Sequence, residues 1–171
     1  MPRYVALLRG VSPMNAKMPA LKRCFEEAGF SNVRTLLSSG NVAFDSPAKS
    51  ELALTRIIEA AMQQSLDRSF WTVVRPIAHL QALIEADPFA AFDLPVGMKK
   101  VVTFLREPQA SGLALPLEKN GAHILTMRGL DILSAYPPEP ANPAFMALLE
   151  KTYAGAITTR TWNTVAKCAA A

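Results

Sequence analysis

The spacing of apolar positions changes several times along this chain, and each change marks an element. Residues 3–10, RYVALLRG, are a short apolar run ended by glycine, which predicts a buried strand. After the loop VSPMNAK the period becomes helical. Leu21, Cys24, Phe25 and Ala28 recur at i, i+3, i+4 and i+7, with Pro19 suited to the first turn and Gly29 placed to stop the helix. Residues 32–46, NVRTLLSSGNVAFDS, predict two strands around Ser38-Ser39-Gly40-Asn41, where glycine tolerates positive φ and serine and asparagine bond nearby backbone. Ser50 is a candidate cap for a helix over 51–66, SFWTVVR at 69–75 predicts a strand, and a short helix follows over 77–85.

The second half repeats that order. KKVVTFLR at 99–106 predicts a strand, Glu107-Pro108 opens a loop or short helix to about Leu115, and 121–129 with 130–137 predict two more strands. Pro137-Pro138-Glu139-Pro140 is a rigid connector, Pro143 opens a helix through Met146, Leu149 and Tyr153, and 156–159 predicts a last strand before a terminal helix. Each half thus follows the split β-α-β order β-α-β-β-α-β with a trailing helix. The expectation is an α+β fold of two ferredoxin-like halves, in effect a duplication: 1–91, a linker at 92–98, and 99–171. The halves share little at the residue level, so this expectation rests on element order.

Composition fits a folded chain. Of 171 residues 50% are hydrophobic and 19% charged. The formal net charge is +4, split evenly between residues 1–88 (ten basic, eight acidic) and 89–171 (eight basic, six acidic), so neither half is a basic tail. Cys24 and Cys168 are far apart and make no Cys-x-x-Cys, which suits reduced thiols in a cytoplasmic protein. With only His79 and His123 besides, no zinc-ligand spacing exists, and no cofactor motif is present. No apolar run approaches the ~18 residues of a membrane span, so no membrane partner is expected.

Three polar segments fall where strands end. Arg9-Gly10 closes the first strand, Ser38-Ser39-Gly40-Asn41 forms the turn, and Thr158 to Thr164 leads into the last helix. Such junctions expose backbone N–H groups, and a helix start adds a partial positive charge of about half a unit, which together suit an anion. In ITTRTWNT, Thr161 or Asn163 is the natural helix cap, Arg160 carries a planar fork suited to phosphate or carboxylate, and Trp162 could wall a pocket, stack on a base or fill a core edge. A purely structural reading competes with each: caps and turns are commoner than ligand sites. Neither histidine can be placed beside Ser39, so no nucleophile–base pair is predicted and no reaction is assigned.

YVALLRGV, MPALKRCFEEAGFSNVRTLLSSGNVAF and TTRTWNT resemble the domain-of-unknown-function 1697 family, which is mostly bacterial. The matching positions are Arg9, Gly10, Ser39, Gly40, Asn41, Thr159, Arg160, Trp162, Asn163 and Thr164. Two departures stand out. The loop after Arg9-Gly10 is the short SPMNAK rather than a glycine-rich one, and Thr161 replaces a common asparagine. The resemblance implies a two-lobed α+β fold and carries no reaction, substrate or cofactor.

The resulting expectation is a small anionic ligand held between the halves, a phosphorylated metabolite or nucleotide. Its binding residues would be Arg9, Ser39, Asn41, Arg160, Trp162, Asn163 and Thr164. A nucleic-acid-binding module ranks lower, and a structural or protein-interaction role is the third alternative. The sequence leaves open whether the protein is an enzyme and what its oligomeric state is.

Overall fold

The computed structural model describes residues 1–109, 114–138 and 143–171. The fold is an α+β mixture in two compact units, Met1–Ile84 with Ala166–Ala171, and Glu85–Val165. The sequence alone suggests halves at 1–91 and 99–171 joined by a linker at 92–98, with the whole terminal helix in the second half.

The first unit runs β1 (Arg3–Leu8), α1 (Met18–Glu27), β2 (Ser31–Leu36), β3 (Asn41–Asp45), α2 (Glu51–Leu66), β4 (Thr72–Pro76) and α3 (Ile77–Ala86, most of which lies in this unit). Its antiparallel sheet has the order β2-β3-β1-β4. β1 and β2 are separated by β3, as a split β-α-β unit requires. From Tyr4 to Leu8 every residue of β1 is buried, which explains the unbroken apolar run. Leu21, Cys24 and Phe25 of α1 and Leu54, Ile58 and Met62 of α2 close over Tyr4, Ala6, Leu8, Val42 and Phe44 of the sheet. Phe44 sits at the centre, 4.5 Å from the Phe30 ring and 5.7 Å from those of Phe25 and Tyr4. Burying one such ring contributes about 2–3 kcal/mol.

Local chemistry sets the helix ends. The Ser50 hydroxyl accepts from the Ala53 N–H at 3.1 Å and caps α2. α1 stops where Phe30 N–H reaches back to Phe25 O at 3.2 Å, a bond that needs the left-handed φ of +99° at Gly29. The end of the chain is fastened within this unit. Gln81 Nε2 donates to Ala169 O at 3.1 Å, and Arg3 Nε donates to Ala171 O at 3.1 Å.

The second unit contains a short 3-10 turn (Pro88–Ala91), β5 (Lys99–Leu105), β6 (Leu117–Lys119), β7 (Ala122–Arg128), β8 (Asp131–Tyr136), α4 (Pro143–Thr152), β9 (Ile157–Thr161) and the start of α5 (Trp162–Ala169). Its five-stranded sheet has the order β6-β7-β8-β5-β9. β7-β8-β5-β9 follow one another as β2-β3-β1-β4 do in the first sheet, and β6 is an added edge strand. β6 was not expected: three residues, Leu117-Glu118-Lys119, are too few to show a strand period. Among the described residues no helix lies between β5 and β7. The loop or short helix expected to about Leu115 falls partly outside the described residues, as do Glu139 and Pro140 of the expected connector. The core of this unit gathers Val101, Leu105, Ile124, Ile132 and Ile157 from the sheet with Leu149 of α4 and Tyr153 just beyond it.

Candidate functional site

In the first unit, two of the three polar segments meet. Leu8 N–H donates to Gly40 O at 2.8 Å, and Leu7 stands opposite Asn41 across the β1–β3 ladder. Arg9 N–H in turn donates to Trp71 O at 2.8 Å. Gly40 adopts φ +87°, and a side chain there would lie 2.9 Å from Val11 Cβ and Cγ2. The turn therefore depends on glycine for both its backbone angle and its closeness to the following loop. That loop is organised by Asn15, which donates to Gly10 O at 2.8 Å and accepts from Ser12 N–H at 2.9 Å.

Asn41 has a structural position. It is fully buried, and its amide donates to Leu36 O and to Ser39 Oγ, both at 3.0 Å. These bonds close the turn that Ser39 and Gly40 shape. Ser39 remains exposed, and Arg9 is half-buried. Elsewhere in this unit, Arg3 holds Asp45 at 2.8 Å, and that hydrogen bond is the main reason the Asp45 carboxyl lies below its ordinary value.

In the second unit, β9 extends to Thr161, further than the apolar pattern suggests. Arg160 stands opposite Val102 on β5 and is 8% exposed. Its guanidinium donates to Thr158 Oγ1 at 2.8 Å and to Thr159 O at 2.9 Å. Beside it, the Thr103 and Thr159 hydroxyls share a hydrogen bond of 2.9 Å. These two bonds run along its own strand.

The cap of α5 is Thr161, not Asn163. Thr164 N–H donates to Thr161 Oγ1 at 3.3 Å, and the two hydroxyls lie 3.1 Å apart. Trp162 and Asn163 then occupy the first two helical positions, where backbone N–H groups have no intrahelical acceptor. Trp162 rests edge-on against the buried Phe89 ring, with centroids 5.0 Å apart. The tryptophan is therefore both a packing residue and a wall.

The wall borders an open cleft of ≈ 510 Å³, lined by Met98, Lys99, Lys100, Thr161, Trp162 and Asn163. A second cleft of ≈ 360 Å³ adjoins it, sharing Met98 and Lys100, and is otherwise lined mainly by Phe89, Phe92, Leu94, Pro95 and Val96. Lys100 Nζ lies 5.7 Å from the centroid of the Phe89 ring. Among the described residues neither lining includes an acidic side chain. Arg160 and Thr164 do not line the clefts.

Lys99 and Lys100 are absent from the residues expected to bind ligand. Their only sequence signal is a Lys-Lys pair opening a strand, and residues 92–98 read as a linker. The link is non-local: β5 pairs with β9, which sets Val101 opposite Thr161 and brings the lysines to the head of α5. Among the described residues no group of three metal-ligating side chains occurs, and no helix is long and apolar enough to cross a membrane.

No curated protein matches the chain. The structure of the conserved bacterial protein SP0830 from Streptococcus pneumoniae is similar, with a TM-score of 0.75 at 22% identity, over 99% of this chain and 97% of that one. At that identity the likeness supports the fold. The model of DUF1697, a protein family of unknown function, matches residues 1–127. The match takes in Arg9, Ser39-Gly40-Asn41 and the Lys99-Lys100 pair, and stops short of ITTRTWNT. The chain belongs to the DUF1697 family.

Proposed function

We propose that the protein binds a small anionic ligand, a phosphorylated metabolite or nucleotide, in the cleft at the head of α5. The observation that carries this reading is the lining itself. Two exposed lysines and a helix start surround one concavity, and among the described residues no carboxylate lines it. The ammonium groups of Lys99 and Lys100 supply charge, and the first N–H groups of α5 supply directed donors and roughly half a positive charge. Asn163 offers an amide to orient the ligand, Thr161 holds the helix start in place, and Trp162 gives the ligand a flat side. A volume of ≈ 510 Å³ falls within the ~300–1,000 Å³ usual for small-molecule sites.

Arg160 has a supporting part in this proposal. It holds the strand end from which α5 starts, while the lysines meet the ligand. Arg9 and Ser39 belong to the first unit and enter only as comparison variants.

A thermal-shift panel tests the reading with inorganic phosphate, AMP, glucose 6-phosphate and a short single-stranded oligonucleotide, at low and moderate salt. A ligand at a hundred times its Kd adds about 2.7 kcal/mol, or roughly 5–10 °C for a chain of this size. The expected result is such a shift for at least one phosphate compound, lost in the Lys99→Ala/Lys100→Ala double variant. A shift confined to the oligonucleotide and falling steeply with salt would favour a nucleic-acid module instead. A flat panel would overturn the proposal and leave a structural or protein-interaction role.

A further inference from the structure

We infer that the ligand is bipartite: an anionic head joined directly to a flat apolar or aromatic body. This inference rests on the proposed anion site and adds the class of molecule that fills it. The two clefts are continuous in their lining, since Met98 and Lys100 border both. Their lining side chains differ: Lys99, Thr161 and Asn163 border one, and Phe92, Leu94 and Val96 border the other.

A single aromatic pair separates and joins them. Phe89 lines the cleft that holds Phe92, Leu94 and Val96, Trp162 lines the one that holds Lys99, and their rings touch at 5.0 Å and 74°. Lys100 lines both clefts, with its ammonium 5.7 Å from the centroid of the Phe89 ring. A bare phosphate would use only the side with Lys99. A molecule whose anionic group sits at Lys99 and the α5 head can lay an attached ring over Phe92, Leu94 and Val96. Removing that ring and those side chains from water favours binding in proportion to the apolar area covered.

One apolar side chain of this lining is fully exposed. Val96 is 105% exposed, on a loop that ends at Gly97 with φ +86°. Phe92 and Leu94 are only half-buried. Charge complementarity fixes the occupant's sign, and the shared lysine fixes where its charge begins. A neutral apolar partner would leave Lys99 and Lys100 without a counter-charge.

The test compares methyl phosphate with phenyl phosphate by amide-detected NMR titration, which reads millimolar affinities. The full chain is used as wild type, Leu94→Ala and Val96→Ser. Both substitutions lie outside the buried core, and the amide spectra confirm folding. The expected result is a Kd for phenyl phosphate at least tenfold lower than for methyl phosphate. Each variant should narrow that ratio at least threefold by weakening phenyl phosphate alone. Equal Kd values for the two probes, or a ratio unchanged in both variants, would overturn the bipartite ligand and leave the anion site standing. If neither probe moves the spectrum, both the anion site and this inference fall together.

Discussion

At the scale of single residues, backbone geometry and hydrogen bonding are the main constraints. Gly40 combines a left-handed φ with a neighbour, Val11, whose β-carbon cannot swing aside. Gly40→Ala should cost about 3 kcal/mol, counting the left-handed penalty and the overlap, and the chemical-denaturation midpoint would show it. A loss under 1 kcal/mol would mean that the turn relaxes freely. Asp45 gives a pH signature. The hydrogen bond from Arg3 lowers its folded value, so its contribution is fully present above the unfolded value and is lost as pH falls through the folded one. Asp45→Asn should therefore be less stable than wild type at neutral pH. The gap should close as pH drops below the ordinary 3.8. A gap that persisted under acid conditions would assign the loss to something other than the charge.

Elements were legible where local chemistry defines them. Ser50 and Gly29 mark their helices because a capping hydroxyl and a left-handed stop act within a few residues. Ser50→Ala should lower stability by about 1 kcal/mol, measured by denaturant titration with an unchanged slope. The turn at 38–41 was equally visible, as was the bonding of its asparagine to nearby backbone, but the burial of that asparagine was not. Sequence marks Asn41 as polar, whereas its complete burial follows from β3 lying between β1 and β2. Arg160 is a second residue whose burial is not legible locally. A guanidinium near a helix start suggests a ligand, yet burial on a strand paired with β5 turns it toward Thr158 and Thr159. Arg160→Ala should cost roughly 1–3 kcal/mol of stability, while phosphate affinity falls less than in the Lys99→Ala/Lys100→Ala variant. The reverse order in a parallel denaturation and binding series would return Arg160 to the ligand.

At the scale of the whole molecule, the two sheets share a strand order while their edges and connections differ. Element order along the chain carried the α+β class, because helical and strand periods alternate clearly. It could not carry the site, because a cleft is made by segments distant in sequence. Met98-Lys99-Lys100 and Thr161-Trp162-Asn163 become neighbours only through the β5–β9 ladder. ITTRTWNT is thus two things at once: a strand end tied down by Arg160 and the capped start of a helix that opens on a cationic cleft.

The most direct test of that cleft is a residue-resolved NMR titration of the full chain with inorganic phosphate. The account predicts saturable shifts of the Trp162 and Asn163 amides together with Lys99 and Lys100, abolished in the double lysine variant. No shift, or saturable shifts centred on Arg9 and Ser39 with the head of α5 unmoved, would contradict it.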